Sequence, residues 1–187
     1  MKRSERRVRS DAGAGLVLRA AHFAAHKHRD QRRKDVRATP YINHPLELAH
    51  LLSSEGGVTD SVVLAAALLH DTIEDTQTSY EELRSEFGLR VADIVVEVTD
   101  TKFLGDVARK RLQVAKAGHA TAAAKQVKIA DKLCNLRDIL AGPPKSWSLK
   151  RKQEYFDWAK EVVDQVRDAN PRLARKFDAL YRQRPCR

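Results

Sequence analysis

Cysteine is scarce. The 187 residues include two, Cys134 within an apolar helical pattern and Cys186 near the C-terminus. They cannot build a disulfide framework, so a reduced, cytoplasmic setting is expected. Long hydrophobic runs are also absent. The longest, Val62 to Leu69, falls far short of the roughly 20 apolar residues that a membrane-spanning helix needs. No secretory hydrophobic region follows the basic start Met1-Lys2-Arg3-Ser4-Glu5-Arg6-Arg7. Negative charge is in deficit: 25 Asp and Glu stand against 35 Lys and Arg, a formal charge of +10. Such an excess calls for an anionic partner, whether nucleic acid, an acidic membrane surface or a small polyanion such as a nucleotide. There is no internal repeat, low-complexity block or β-hairpin signal. These absences leave an all-α chain, long enough for one domain with a sizeable core.

Helical patterns fill most of that length. Residues 1–14 are charged and have no aromatics between their cations, so they read as a flexible basic tail rather than a nucleic-acid arm. Leu16, Ala20, Phe23 and Ala24 predict a helix from Leu16 to about Lys27. After the cation-dense segment His28 to Arg37, Pro45 stands near the first position of a helix that Gly56-Gly57 stops. Thr59-Asp60 opens the next, and its apolar run Val62–Leu69 belongs at the centre of the fold. Ser79-Tyr80-Glu81-Glu82 begins a further helix that Gly88 ends. Residues 91–98 have strand-like β-branched content, yet Val91, Ile94, Val95 and Val98 fit helical spacing. Helix is the consistent choice because no partner strand is visible. Helices are also expected over 106–116, 121–140, 148–167 and 170–181. The organisation predicted is a tail over 1–14, one helical domain over 15–182 and a short C-terminal tail over 183–187.

Chemistry concentrates where the apolar run ends. His70, Asp71, Glu74 and Asp75 place four metal-binding or proton-handling groups within six residues. In a continuous helix, His70 would share a face with Glu74, and Asp71 with Asp75. An adjacent His-Asp can serve one cation from two directions, and the Glu-Asp pair one turn on can orient or deprotonate a water. Taken alone, such a cluster reads as the solvated end of a helix. Other polar residues carry blander expectations. His22, His26 and His28 read as surface histidines, and His50 and His119 as surface or core. Tyr155, Phe156 and Trp158 read as core packing, and Asp100 and Asp138 as structural helix-end residues.

The ordered set His44, His70-Asp71 and Asp131, with Glu74-Asp75 and Asn135, resembles the H…HD…D pattern of the HD-domain metal-dependent phosphohydrolases. Three longer stretches carry the likeness further: Tyr41-Ile42-Asn43-His44-Pro45, Ala66 through Asp75, and Val127 through Asp138. They are similar to the hydrolase domain of RelA/SpoT proteins, and most similar to the stand-alone small alarmone hydrolases that include the metazoan SpoT homologue. Gln31-Arg32-Arg33-Lys34, Arg109 to Val114 and Glu154 to Trp158 fit the same pattern. The resemblance covers roughly Ala20 to Tyr181. It implies a single HD-domain helical bundle that removes the 3′-diphosphate of ppGpp or pppGpp, giving GDP or GTP and pyrophosphate, with Mn²⁺. It implies His44, His70, Asp71 and Asp131 as metal ligands, and Glu74 and Asp75 as the residues that position and activate water. It places Arg33 and Lys34 against guanine and phosphate, Asn135 on the nucleoside, and phosphate contacts among Lys102, Arg109, Lys110 and Arg111. With the chain ending at Arg187, no synthetase or regulatory domain is expected. Association into a homo-oligomer is in keeping with the family.

Two imidazoles and two carboxylates form a mixed nitrogen and oxygen set suited to Mn²⁺ or Fe²⁺, with no thiolate to favour structural zinc. Two aspartates cancel one divalent ion, so the substrate's phosphates need further cations. Arg32–Arg37 and Lys102–Arg111 are expected to supply them. Two alternatives stand beside the guanine-nucleotide reading. One keeps the pocket and changes the substrate to another phosphorylated nucleotide such as NADPH. The other is a basic nucleic-acid-binding protein with a vestigial metal site, and it is disfavoured because none of the metal and catalytic positions is substituted. The expected partner is thus a small guanine nucleotide, with neither nucleic acid nor membrane.

Overall fold

The computed structural model describes residues 2–100, 103 and 105–186, with side chains from residue 13 onward. Its order is α1 (Lys2–Lys27), α2 (Asn43–Ser54), α3 (Ser61–Leu69), α4 (Thr72–Asp75), α5 (Tyr80–Phe87), α6 (Leu89–Val98), α7 (Asp106–Ala117), α8 (Ala122–Ala141), α9 (Leu149–Asp164) and α10 (Pro171–Tyr181), with a 3-10 turn at Arg167–Ala169. Among the described residues, extended pairing is limited to one antiparallel bridge between Arg32 and Pro40. No helix there is long and apolar enough to cross a membrane. The all-α expectation holds, and the ambiguous residues 91–98 fall in α6.

Helix α3 lies at the centre because it has no polar face to leave in water. Ala65, Ala66, Ala67, Leu68 and Leu69 are all buried, and α1, α2, α6 and α8 pack around the helix. Helix α8 provides the second spine. Val127, Ile129, Ala130, Leu133 and Leu136 are buried on it, and it meets α2, α3, α6, α9 and α10. Each large apolar side chain so removed from water contributes about 1.5–3 kcal/mol.

Side-chain caps set several helix starts where the sequence puts them. Asp60 accepts from Val62 N, Ser79 from Glu82 N, Thr121 from Ala124 N and Ser148 from Arg151 N. Gly88, at φ +85°, closes α5 and leads directly into α6. The boundaries differ at several places. Helix α1 begins at Lys2 rather than Leu16 and so runs through the stretch expected as a tail. Its first turns contain Glu, Arg and Ala without proline, and Gly13 and Gly15 weaken a helix by about 1 kcal/mol each without breaking it. Pro45 is the third residue of α2 rather than the first. First-turn N–H groups have no partner within the helix, so proline is tolerated there. Helix α9 ends at Asp164, and Arg167 belongs to the 3-10 turn.

Asn170 ties this C-terminal region to α2. Its Oδ1 accepts from Leu173 N at 3.1 Å, and its Nδ2 donates to Gly56 O at 3.1 Å. The residue is buried. Asn170→Ala removes a cap and strands a buried carbonyl, so it should cost about 2–4 kcal/mol in urea unfolding. The exposed-cap variant Ser79→Ala should cost about 1 kcal/mol. Equal small losses would mean that Asn170 acts only as a cap.

Candidate active site

Helix α3 delivers His70 at its C-terminal end. The backbone is still helical there (φ −55°, ψ −34°), but at Asp71 it shifts to φ −97°, ψ −2° and turns into α4. The buried Thr72 hydroxyl donates to Leu69 O at 2.7 Å and stabilises the break. The helix is therefore not continuous, yet His70 and Glu74 still face the same space. His70, Asp71 and Glu74 line one cavity, and Asp75 lines another.

His44 enters from the first turn of α2 and Asp131 from the middle of α8. His44, His70 and Asp131 each offer a ligand atom, all within 4.8 Å of one another. Asp71 joins them, with Oδ2 at 2.9 Å from His70 Nε2 and 4.0 Å from His44 Nε2. His70 Nδ1–H donates to Ala67 O at 2.9 Å, which turns Nε2 toward the carboxylates. That Nε2 is buried and has no hydrogen-bond partner, because its contact with Asp71 is close but misaligned. A divalent cation among the four groups would satisfy it, and their nitrogen and oxygen donors suit such an ion. The residues fit a metal.

Neighbours hold the two carboxylates in place. Asp71 accepts from the Tyr41 hydroxyl at 2.6 Å. Asp131 accepts from Asn135 Nδ2 at 2.6 Å and from Lys132 Nζ at 2.8 Å. Burial opposes ionisation of both aspartates, yet His70 and His44 hold Asp71, and Lys132 and His44 hold Asp131, well below the usual carboxylate range. Burial also opposes charge on His70, but Asp71 and Asp131 push it up to about 9. At His44 burial wins and the pKa falls. Burial, with Asp100 adding to it, raises the pKa of Glu74.

These residues enclose about 160 Å³, together with Asp100, Gln113, Lys128 and Lys132. Arg33, Tyr41 and Asn135 line both this cavity and a neighbour of about 340 Å³. The larger one also has Gln31, Lys34, Asp75, Trp147 and Tyr155 on its walls, and its size is that of a small-molecule site. Arg33 donates to Asn135 Oδ1 at 3.0 Å, pairs with Asp138 and lies 5.6 Å from the Tyr41 ring centre.

Several expectations need correction. Arg109 and Lys110 line neither cavity. Arg109 donates to Asp106 on its own helix at 2.9 Å, and Lys110 Nζ lies 5.2 Å from the Trp158 ring centre. Helix α7 buries Gln113 and Ala117 and keeps its cations on a more open side, with Arg111 exposed. Lys102 lies outside the described residues. Among the described residues, the cations that line the inner cavity are Arg33, Lys128 and Lys132, and periodicity alone would leave the two lysines as ordinary polar positions of α8. Tyr155 lines the larger cavity rather than only the core, and burial pushes its hydroxyl up to about 12. Phe156 is core as expected. His28 is not a surface histidine. It is 1% exposed and stacks on Tyr41, with ring centres 4.8 Å apart. The signal was its place in the four-residue spacing of the buried Ala20 and Ala24. Asp100 and Asp138 line the cavities instead of merely ending helices.

The comparisons with known proteins fit this arrangement. The HD domain family matches residues 20–157. This chain belongs to that family. Within it, the chain is 56% identical over 168 residues to the guanosine-3′,5′-bis(diphosphate) 3′-pyrophosphohydrolase MESH1 of Xenopus tropicalis, covering 90% of this chain and 94% of that one. The Homo sapiens protein of the same name is 53% identical over 171 residues, covering 91% and 96%. A solved structure described as a metazoan orthologue of SpoT that hydrolyses ppGpp aligns with a TM-score of 0.88 at 47% identity, covering 90% of this chain and 95% of that one. In this HD domain the pattern reads from α2, through the α3–α4 break, to α8.

His70 gives the metal-free HD domain a testable sign. Its pKa rises on folding from 6.5 to about 9. The stability it contributes is therefore complete below pH 6.5 and lost as the pH climbs through about 9. Melts of chelator-treated protein should show Tm falling over that window relative to His70→Gln. Divalent-cation affinity should rise over the same window, because the ion displaces this proton. A rising Tm difference would contradict the pairing with Asp71.

Proposed function

We propose that the chain is a Mn²⁺-dependent hydrolase that removes the 3′-diphosphate of guanosine 3′,5′-bis(diphosphate). The observation that carries this reading is identity above one half, over nine-tenths of both chains, with proteins named for that activity. The solved orthologue that hydrolyses ppGpp supports it. The site chemistry agrees. His44, His70, Asp71 and Asp131 would hold the ion. Once bound, it supplies Lewis acidity, easing deprotonation of water and offsetting phosphoryl charge. Donors without a thiolate favour Mn²⁺ over structural zinc.

The chain's own residues do the rest. Glu74, raised in pKa within the metal cavity, takes the proton of the attacking water. Water oxygen bonds to the 3′-phosphorus, the bond from that phosphorus to the ribose 3′-oxygen breaks, and a proton returns to the departing oxygen. GDP and pyrophosphate result, or GTP and pyrophosphate from pppGpp. Asp75 accepts from Gln31 Nε2 at 3.1 Å and borders the larger cavity, where it positions the water from the substrate side. The nucleoside occupies that cavity between the Arg33–Lys34 segment and Tyr155, with Asn135 linking it to the metal ligand Asp131. We take residues 15–182 as the catalytic domain and the cytoplasm as its location, a reduced setting that suits the buried free thiol of Cys134.

Product analysis with Mn²⁺, on ppGpp and NADPH side by side, tests the reading. GDP plus pyrophosphate, abolished by EDTA, is the expected result. Orthophosphate from NADPH at a much higher kcat/KM would move the substrate and leave the site. Glu74→Ala and Asp75→Ala should keep the metal and lose about 10²–10⁴-fold in kcat. His70→Ala and Asp131→Ala should lose both metal and turnover. Activity retained in His70→Ala would refute the ligand assignment.

A further inference from the structure

Helix α8 carries two lysines one turn apart, and both are buried, Lys128 at 7% exposure and Lys132 at 5%. An ammonium group is seldom buried, because the loss of hydration costs several kcal/mol unless an anion compensates. Lys132 is compensated. Its Nζ donates to Asp131 Oδ2 at 2.8 Å and lies 4.3 Å from the centre of the Trp158 ring. Lys128 has no such partner. Among the described residues its one hydrogen bond runs to Val98 O at 3.5 Å, too long to carry much energy, and it forms no ion pair. Burial and the neighbouring Lys132 push its pKa down, while Asp100, Asp131 and Glu74 act against them. It nonetheless lines the 160 Å³ cavity with His44, His70, Asp71, Glu74 and Asp131.

Charge accounting gives this lysine a role. Asp71 and Asp131 neutralise one divalent ion. Lys132 is committed to Asp131, and Arg33 to Asn135 and Asp138. The cations of α7 stay outside the cavity. Among the described residues, a polyanion entering here meets one uncommitted ammonium, already held in a small, poorly hydrated space where a fixed charge acts strongly. We infer that Lys128 is a substrate-contacting residue whose ammonium group donates to oxygens of the diphosphate being removed. This rests on the hydrolase reading above, which assigns the metal cavity to that group. A lysine kept only to tie α8 to α6 would be a poor device, because among the described residues its one hydrogen bond is the long contact with Val98 O.

The inference predicts opposite signs for stability and function. Lys128→Met keeps most of the volume and removes a desolvated charge. Its Tm should match or exceed that of the wild-type protein. In Mn²⁺, calorimetric titration with inorganic pyrophosphate should show Kd weakened at least about tenfold, the loss of a charge-assisted hydrogen bond. The kcat on ppGpp should fall about 100-fold, as for removal of one preorganised donor. Lys128→Arg should recover part of the pyrophosphate affinity. If Lys128→Met does not fold, Lys128→Gln carries the same comparison. Pyrophosphate affinity and kcat both within about threefold of wild type would overturn the assignment. Wild-type protein that binds pyrophosphate yet leaves ppGpp intact would instead refute the substrate reading, and the titration would still decide on Lys128.

Discussion

Ionisable groups brought together at the inner end of the most apolar helix have to be compensated, and the rest of the molecule is arranged around that requirement. Water does not reach His44 or His70 freely, and Asp71 and Asp131 are largely covered. Each group left alone would cost several kcal/mol. The protein meets the cost with partners mostly close in sequence, Lys132 and Asn135 on Asp131 and the Ala67 carbonyl on His70, and with Tyr41 brought to Asp71 from 30 residues away. Among its buried atoms without a hydrogen-bond partner is His70 Nε2, at the point where a divalent ion would complete the set. The fold is thus a scaffold that makes an expensive charge cluster tolerable.

The break between α3 and α4 divides the labour. A continuous helix would have carried His70 with Glu74 and Asp71 with Asp75 on separate faces. The turn at Asp71 instead gathers His70, Asp71 and Glu74 around one cavity and gives Asp75 to the next. Tyr41, Arg33 and Asn135 form the shared wall. A nucleotide spanning both cavities would meet metal ligands on one side and Arg33, Lys34 and aromatic rings on the other. Positive charge is deployed by depth. Arg33, Lys128 and Lys132 line the inner cavity, while the cations of α7 sit on a more open face.

Much of this was legible before the fold was known. Apolar all-round character put α3 at the centre, because a helix without a polar stripe has nothing to offer water. Asp60 and Ser79 marked helix starts through their capping chemistry. The ordered pattern from His44 to Asp131 pointed to metal-dependent phosphohydrolase chemistry. Other features were hidden because their cause is not local. Tyr155 looked like core, since aromatic residues on an amphipathic helix usually are. His28 looked like surface because no carboxylate partner follows these histidines at a ligand spacing, although its spacing from Ala20 and Ala24 was informative.

Sequence by itself determined the helical class, the central helix, the caps and the chemical types available for a metal and a water. Those properties follow from local periodicity, side-chain hydrogen bonding and donor chemistry, all written in neighbouring residues. Tertiary structure alone decided which cations face the site. Arg109 and Lys110 are as basic as Lys128 and Lys132, but burial and direction depend on how α7 and α8 pack against the rest. The same packing separated Glu74 from Asp75 and put Tyr41 against Asp71. Charge is a property of the residue, whereas its electrostatic effect depends on distance and hydration, and only the folded chain sets those.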